Sequence, residues 1–559
     1  MKAKDWLHGS GGTLAALLAA MIALVSLAFP AGLPARWAAA CTLVLALPVL
    51  WHRFGPPSLS RLDAGLPSWR DSASRFGPYL AVTAVALAAL GPVALGQAPI
   101  SQDHANHYLH TAILAQDMIP SGRLFGWTDR LGIGYPFGDL HYTLCYLVNA
   151  LPHLLSFGAI GLQASYAIGV CIAWVVASLA VTALARRLAG PLASTAAGAL
   201  YALDVGGDRE GGWTYSLFHG VWPQQFGAGV WLFSLLALWR LGEKADTRRL
   251  AAAALLTGLC LWVHPMNAVN LLVAAPLMIA VRLWSGRADK GPGASRGALC
   301  LVPALAAGGA IGSLWMVRMM LASGSVQSIP VTWDQLPVLI GRALVGSPFD
   351  HELAAISVLA LVGVVAAIRT GGRLRTFLLL LAGALLAVGA MDVVLGLDLG
   401  LLGGPLRTLQ YRRFAVALKP IWYALAAAGA GTIAAGITAR LAATGAPSRL
   451  ASPALRVLAA LVSAPLLVGL AMALPGVVTS PAARPLTMEN TGEAAHDTKL
   501  RALAAGIEPG LPVRRAVYWE KPGHGGRTPI FALTDAGFGI VSTKFSPAQN
   551  FDGIAFTTD

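Results

Sequence analysis

Residues 163–186 read QASYAIGVCIAWVVASLAVTALAR, a run with no charge before Arg186, and Arg187 follows directly. About 20 consecutive apolar residues let a helix cross a bilayer, so the stretch reads as a transmembrane helix that ends in a basic loop. Working outward, comparable runs lie near 12–29, 36–52, 77–96, 190–206, 222–240, 250–265, 266–283, 297–321, 353–369, 376–396, 413–437 and 456–476. The expected fold is all-α and polytopic, a bundle of about thirteen transmembrane helices at that span length.

Composition agrees. Of 559 residues, 56% are hydrophobic and 12% charged, with a mean hydropathy of +0.64. A soluble domain carries about 25% charged residues, so a chain this poor in charge needs lipid as its solvent. The net charge of +14 calls for no nucleic-acid partner, because basic loops that fix orientation in the membrane account for it. The 5 cysteines include no Cys-x-x-Cys pair, which indicates neither a zinc knuckle nor a disulfide framework. The first run, Thr13 to Phe29, lacks a small-x-small cleavage site and is followed at once by a second span, so it reads as an uncleaved helix.

Charge between the runs sets the sidedness. With a cytoplasmic N-terminus, the inside segments hold Lys2/Lys4, Arg53/Arg61/Arg70/Arg75, Arg186/Arg187, Arg240/Lys244/Arg248/Arg249, Arg282/Arg287/Lys290/Arg296, Arg369/Arg373/Arg375 and Arg440/Arg449/Arg456. Every inside loop is then basic. This parity requires that 139–158, broken by Asn149, Pro152 and His153, does not cross. Three parts follow: two N-terminal helices and a basic loop (1–76), a transmembrane core (77–477) with a first outer loop at 97–162, and an extracytoplasmic segment (478–559) with a C-terminus outside. In that last segment Arg515–Trp519, Pro529–Leu533 and Gly539–Thr543 read as short strands of a small β-rich appendage.

Polar residues collect on the outer side. Asp103 opens an amphipathic helix that Pro120 closes. A carboxylate there caps free N–H groups, or acts as a general base on an acceptor hydroxyl, with His104 and His107 beside it. Asp103 and His107 share a face at i,i+4, and with His104 and His110 they offer a further use as ligands of a divalent ion such as Mg or Mn. In the second outer loop stand Glu210 and Trp213, and His264-Pro265 falls at the outer end of a hairpin. Ionisable groups at membrane depth are functional candidates by default, although His264 also suits a helix corner and Trp213 an aromatic belt. Last, Gln410-Tyr411-Arg412-Arg413 precedes a late span. Arginines outside run against the charge bias, and their forks suit a lipid phosphate.

In order, Asp103-His104, Gly122…Trp127, Gly132-x-Gly134-Tyr135-Pro136, Glu210-Gly-Gly-Trp213, Leu261-x-x-His264-Pro265 and Gln410-Tyr-Arg-Arg413 resemble the GT-C superfamily of membrane glycosyltransferases. The likeness, over about residues 77 to 440, is nearest to bacterial 6-pyruvoyl-tetrahydropterin synthase-related polytopic membrane proteins. It implies a hexosyl- or pentosyltransferase of the bacterial inner membrane, with a polyprenyl-phosphate sugar donor and a glycan, lipid or protein acceptor in the cell envelope. It makes Asp103 the base and Arg412/Arg413 the phosphate clamp, with Glu210, Trp213, His264 and Gln410 lining the substrate site. Two features depart from the pattern: two extra leading spans, and a His rather than a second acid after Asp103, which weakens a metal-bound Asp-x-Asp site. A transporter or flippase predicts internal repeats and charged midplane helices, and none is visible apart from Arg318 and Asp392. A non-catalytic envelope-assembly protein predicts that function rests on the 480–559 tail.

Overall fold

The computed structural model describes residues 69–130, 135–138, 143–207, 209–288, 297–322, 333–345, 348–349, 354–397 and 410–443, with short pieces between 498 and 542. The expected spans at 12–29, 36–52 and 456–476, the strand at 529–533 and Gly132–Gly134 lie outside the described residues.

Each of the other ten expected spans contains helix. They are α1 (Trp69–Leu90), α4 (Leu162–Ala185), α5 (Pro191–Ala202), α6 (Trp222–Glu243), α7 (Thr247–Val263), α8 (Met266–Ala288), α9 (Leu301–Ala322), α11 (Ala354–Thr370), α12 (Arg373–Gly389) with α13 (Met391–Gly396), and α14 (Phe414–Ala443). Between them lie α2 (His104–Ile113), α3 (Thr143–Leu155) and α10 (Leu336–Leu344). Among the described residues, four segments are long and apolar enough to cross a membrane: Phe76–Val93, Leu162–Ala185, Met266–Trp284 and Tyr411–Gly436. The 12 residues of α5 reach only about 18 Å at 1.5 Å per residue, short of a hydrocarbon core of about 30 Å. The full count of thirteen crossings therefore stays an expectation. The described part of α3, Thr143–Leu155 with Pro152 inside, is 13 residues long, and whether the 139–158 segment crosses stays, with the charge parity, an expectation.

Small residues let the helices meet backbone to backbone. A Cβ on Gly363 of α11 would lie 1.9 Å from the Leu425 carbonyl oxygen, and one on Gly429 of α14 would lie 2.0 Å from that of Leu359. Around α14 pack α4, α5, α11 and α12, so the helix entered through Tyr411–Arg413 is the buried axis of the bundle. Gly229 of α6 touches the Ala177 backbone of α4 in the same way.

Helix α2 corrects an expectation. It continues through a π-helical turn at Leu114–Met118, and of its ten residues only Asn106 is not buried. It is an inserted helix rather than an amphipathic one lying at the interface, and its histidines are tolerated inside because partners meet them. An antiparallel pair, β1 (Gly126–Thr128) and β2 (Tyr135–Phe137), follows it. In the C-terminal segment Arg515–Tyr518 (β3) and Gly539–Ser542 (β4) pair in parallel, and among the described residues the appendage amounts to these two strands.

Candidate active site

The first turn of α2 is held from below by the second outer loop. The Asp103 N–H donates to the His219 carbonyl at 3.2 Å, and Ser101 Oγ donates to the Leu217 carbonyl at 3.4 Å. Gly220, at φ +80°, packs so close that a Cβ would lie 2.7 Å from the His104 nitrogen. Gln102, just before Asp103, takes the left-handed φ of +45°, a costly conformation that persists where surrounding structure over-determines it. Asp103 occupies the N-cap position, yet its side chain makes no capping hydrogen bond. The Asp103 residue is half-buried.

The adjacent histidines are spent. His104 Nε2 lies 2.7 Å from the Leu217 carbonyl and Nδ1 lies 2.8 Å from the Tyr166 hydroxyl. A carbonyl only accepts, so in the neutral ring Nε2 carries the proton and Nδ1 accepts from Tyr166. The Tyr166 oxygen in turn accepts the Trp222 indole N–H at 3.1 Å. His104 therefore ties α2 to α4 and to the second loop. His107 Nδ1 is 3.0 Å from the Tyr146 hydroxyl, and its ring meets Trp222 edge-on. His110 donates from Nδ1 to the Asn106 carbonyl, and burial lowers its pKa to about 4, against a small opposing effect of that bond. Among the described residues no group of three or more His, Cys, Asp or Glu is placed to hold a metal ion, and both His104 nitrogens are committed.

The second loop is built by backbone conformations that only glycine adopts cheaply. Gly206, Gly211 and Gly212 have φ of +64°, +79° and +74°. A Cβ on Gly212 would lie 2.6 Å from the Gly206 backbone. The loop closes through the Trp213 N–H to the Asp204 carbonyl at 2.9 Å. Trp213 is buried, donates its indole N–H to the Ala202 carbonyl and meets Trp174 edge-on. It is an anchor of the loop rather than a residue of an exposed aromatic belt.

This closure delivers Glu210, which has no exposed surface, to within 3.3 Å of Arg412. Gln224, at the start of α6, joins the same group. Its Nε2 donates to the Arg413 carbonyl at 3.1 Å and its Oε1 accepts from the Tyr215 hydroxyl, while the Arg413 guanidinium lies 5.8 Å over the Tyr215 ring. Gln410 opens the 3-10 turn, accepting the Arg413 N–H at 2.9 Å. Among the described residues, buried Arg413 Nε and Gln410 Oε1 meet no hydrogen-bond partner. His264 sits elsewhere in role: as the residue ending α7 it accepts the Met266 N–H on Nδ1 at 3.2 Å, which makes it the α7–α8 corner.

Sequence reasoning missed two features. Lys419 Nζ lies 2.8 Å from Asp204 Oδ2, both buried, and so ties α14 to the root of the second loop. Asp535, far along the chain, accepts from Tyr108 and from Gln163 Nε2 and pairs with Arg501. A lysine inside an apolar run was a visible signal for the first. Nothing local signals the second.

No family model matches the sequence, and no curated protein matches it. Solved structures do. An oligosaccharyltransferase from Archaeoglobus fulgidus, tethered with an acceptor peptide, superposes over 86% of this chain and 65% of its own, at 9% identity and a TM-score of 0.51. This chain has the GT-C fold. ArnT from Cupriavidus metallidurans, solved with undecaprenyl phosphate, matches over 84% of this chain and 86% of its own, at 13% identity and a TM-score of 0.47. Arabinosyltransferase EmbB from Mycobacterium smegmatis matches over 79% and 44%, at 15% identity and a TM-score of 0.38. The chain spans 65% of the length of the oligosaccharyltransferase. Within its GT-C bundle, Asp103, Glu210, Arg412 and Arg413 come to one end, because Tyr166, Gln224 and Arg413 stand at or just before the first turns of α4, α6 and α14.

Proposed function

We propose that this protein is a membrane glycosyltransferase that moves a sugar from a polyprenyl-phosphate donor to an extracytoplasmic glycan, lipid or protein. The observation that carries the reading is the second outer loop, which touches the Asp103 backbone at His219 and the arginine pair through Glu210 and Tyr215. That one loop contacts both the turn of the half-buried Asp103 and the two arginines, which supports assigning them to one site.

The chemistry follows from that placement. Asp103 takes the proton from the acceptor hydroxyl. The oxygen so freed forms its bond to the anomeric carbon as the bond from that carbon to the donor phosphate oxygen breaks. The lipid phosphate departs with the electron pair, and Arg412 and Arg413 stabilise the charge as it grows. Glu210 orients the Arg412 fork, and Gln224 fixes the backbone of Arg413. Arg413 Nε, buried and short of an acceptor among the described residues, suits a phosphate oxygen. The charge bias supports a cytoplasmic N-terminus and an outer site in a bacterial inner membrane.

The test is turnover of purified protein with a panel of polyprenyl-phosphate sugars, wild type against Asp103→Asn. Turnover with at least one donor, abolished by the substitution, supports the reading. No turnover by wild type with any donor, or an unaffected Asp103→Asn, removes it.

A further inference from the structure

The bundle has a second polar site, at the end opposite Asp103. Helix α4 runs from Leu162 to Ala185, and its 24 residues span about 36 Å. Helix α6 runs alongside it, from Trp222 to Glu243. Where both end, a cavity of about 600 Å³ opens, lined by Arg187, Glu243, Arg282, Arg373 and Arg375 around Trp239. Four guanidiniums thus face one carboxylate. That carboxylate is committed, to an ion pair with Arg187 and to the Trp239 indole N–H at 2.9 Å.

Arg282 is 4% exposed, and its guanidinium lies 4.3 Å over the Trp239 ring. One terminal nitrogen donates to the Trp239 carbonyl at 2.5 Å, while its buried Nε meets no acceptor among the described residues. Room for it exists only because residue 242 is glycine, where a Cβ would lie 2.4 Å from the Arg282 guanidinium carbon. A buried charged donor left without an acceptor is costly, so the site as built is short of an anion.

The N-terminus of α12 points to the same anion. Its cap is Gly372 at φ +98°, preceded by Gly371 at φ +63°, and no side chain caps it. Both glycines line the cavity, with open space where a Cβ would stand. The Thr376 N–H is taken by the Gly372 carbonyl, and the N–H groups ahead of it in the first turn have no acceptor within the helix itself. Such an end is a ready anion site. Beside the cavity Trp284 and Leu283 of α8 are exposed, as suits a membrane interface.

We propose that this cavity binds a phosphate group, that of an anionic phospholipid in the leaflet at this end. With the N-terminus inside, that leaflet is the cytoplasmic one, and basic clefts between helices on that side suit such headgroups. The proposal is independent of the glycosyltransferase reading.

The test uses the full chain, delipidated in detergent, with cardiolipin, phosphatidylglycerol, phosphatidylcholine and inorganic phosphate as separate probes. Native mass spectrometry reads retained adducts and thermal melting reads stabilisation. Wild type retains cardiolipin or phosphatidylglycerol over phosphatidylcholine, with a Tm raised by several degrees. The exposed-end pair Arg373→Gln/Arg375→Gln weakens that retention at least tenfold while the apo protein keeps its Tm. Arg282→Gln serves as a second variant if it folds. Inorganic phosphate alone, bound by wild type and lost in the same variants, upholds the site with a soluble ligand. No preference for any anionic probe, or equal binding by wild type and the double variant, overturns it.

Discussion

Arg412 lies 3.3 Å from Glu210, a residue 202 positions earlier in the chain whose side chain is wholly buried. The contact exists because the Gly206–Gly212 loop folds under Trp213 and meets the turn that enters α14. An arginine held this way presents a fixed fork to an anion. Arg412→Gln and Arg413→Gln are each expected to weaken donor binding about tenfold or more, since hydrogen bonds to charged groups contribute about 1.5–3 kcal/mol. Titration of a polyprenyl phosphate into protein in nanodiscs measures it, and unchanged affinity in both would count against the clamp.

Gly220→Ala tests the support of Asp103. The residue sits at φ +80° with the His104 nitrogen 2.7 Å from a Cβ position. The left-handed backbone costs about 1–2 kcal/mol, and the contact moves the turn that carries Asp103. Turnover is expected to fall by more than the modest loss of Tm would explain. Full turnover in a folded variant would show that the Asp103 turn does not matter.

The buried Lys419–Asp204 pair is expected to be structural. Removing one partner strands a charge, and breaking such pairs costs about 3–5 kcal/mol. Lys419→Met should therefore lower Tm steeply, and Lys419→Met/Asp204→Leu should recover part of the loss. A double variant no better than the single would show that the pair is not the coupling between α14 and the loop.

Acid should loosen α2 through His110. Its folded pKa, about 4, lies below the ordinary 6.5 because burial disfavours the charged ring. The unfolded chain therefore binds the proton first as pH falls. The stability contributed is complete above about 6.5 and is lost between 6.5 and 4, on the order of a few kcal/mol. Tm measured at pH 7 and pH 5 should fall for wild type and fall less for His110→Gln.

The sequence disclosed what depends on long averages. Apolar runs located helices α4 to α9, α11 and α14 to within about six residues at each end and α1 and α12 to within eight, since a span must satisfy lipid along its whole length. It marked Asp103, Glu210, Arg412 and Arg413 because charge on the wrong side or depth is conspicuous. It could not assign roles that depend on partners far away in the chain. His104 looked as reactive as Asp103 until Tyr166 and Leu217 were seen to occupy both its nitrogens. Trp213 looked interfacial until Ala202 was seen to accept its N–H. The inserted α2 looked amphipathic because its buried polar residues are met by groups on α3, α4 and the second loop.

The central claim is a division of labour between a carboxylate and two arginines. Its most direct test measures donor binding and turnover together in Asp103→Asn and in Arg412→Gln/Arg413→Gln. Asp103→Asn should bind the polyprenyl-phosphate sugar like wild type yet turn over at least a hundredfold more slowly, as the loss of a general base implies. The arginine variant should lose binding. An Asp103→Asn protein that turns over normally, or an arginine variant that binds the donor undiminished, would contradict it.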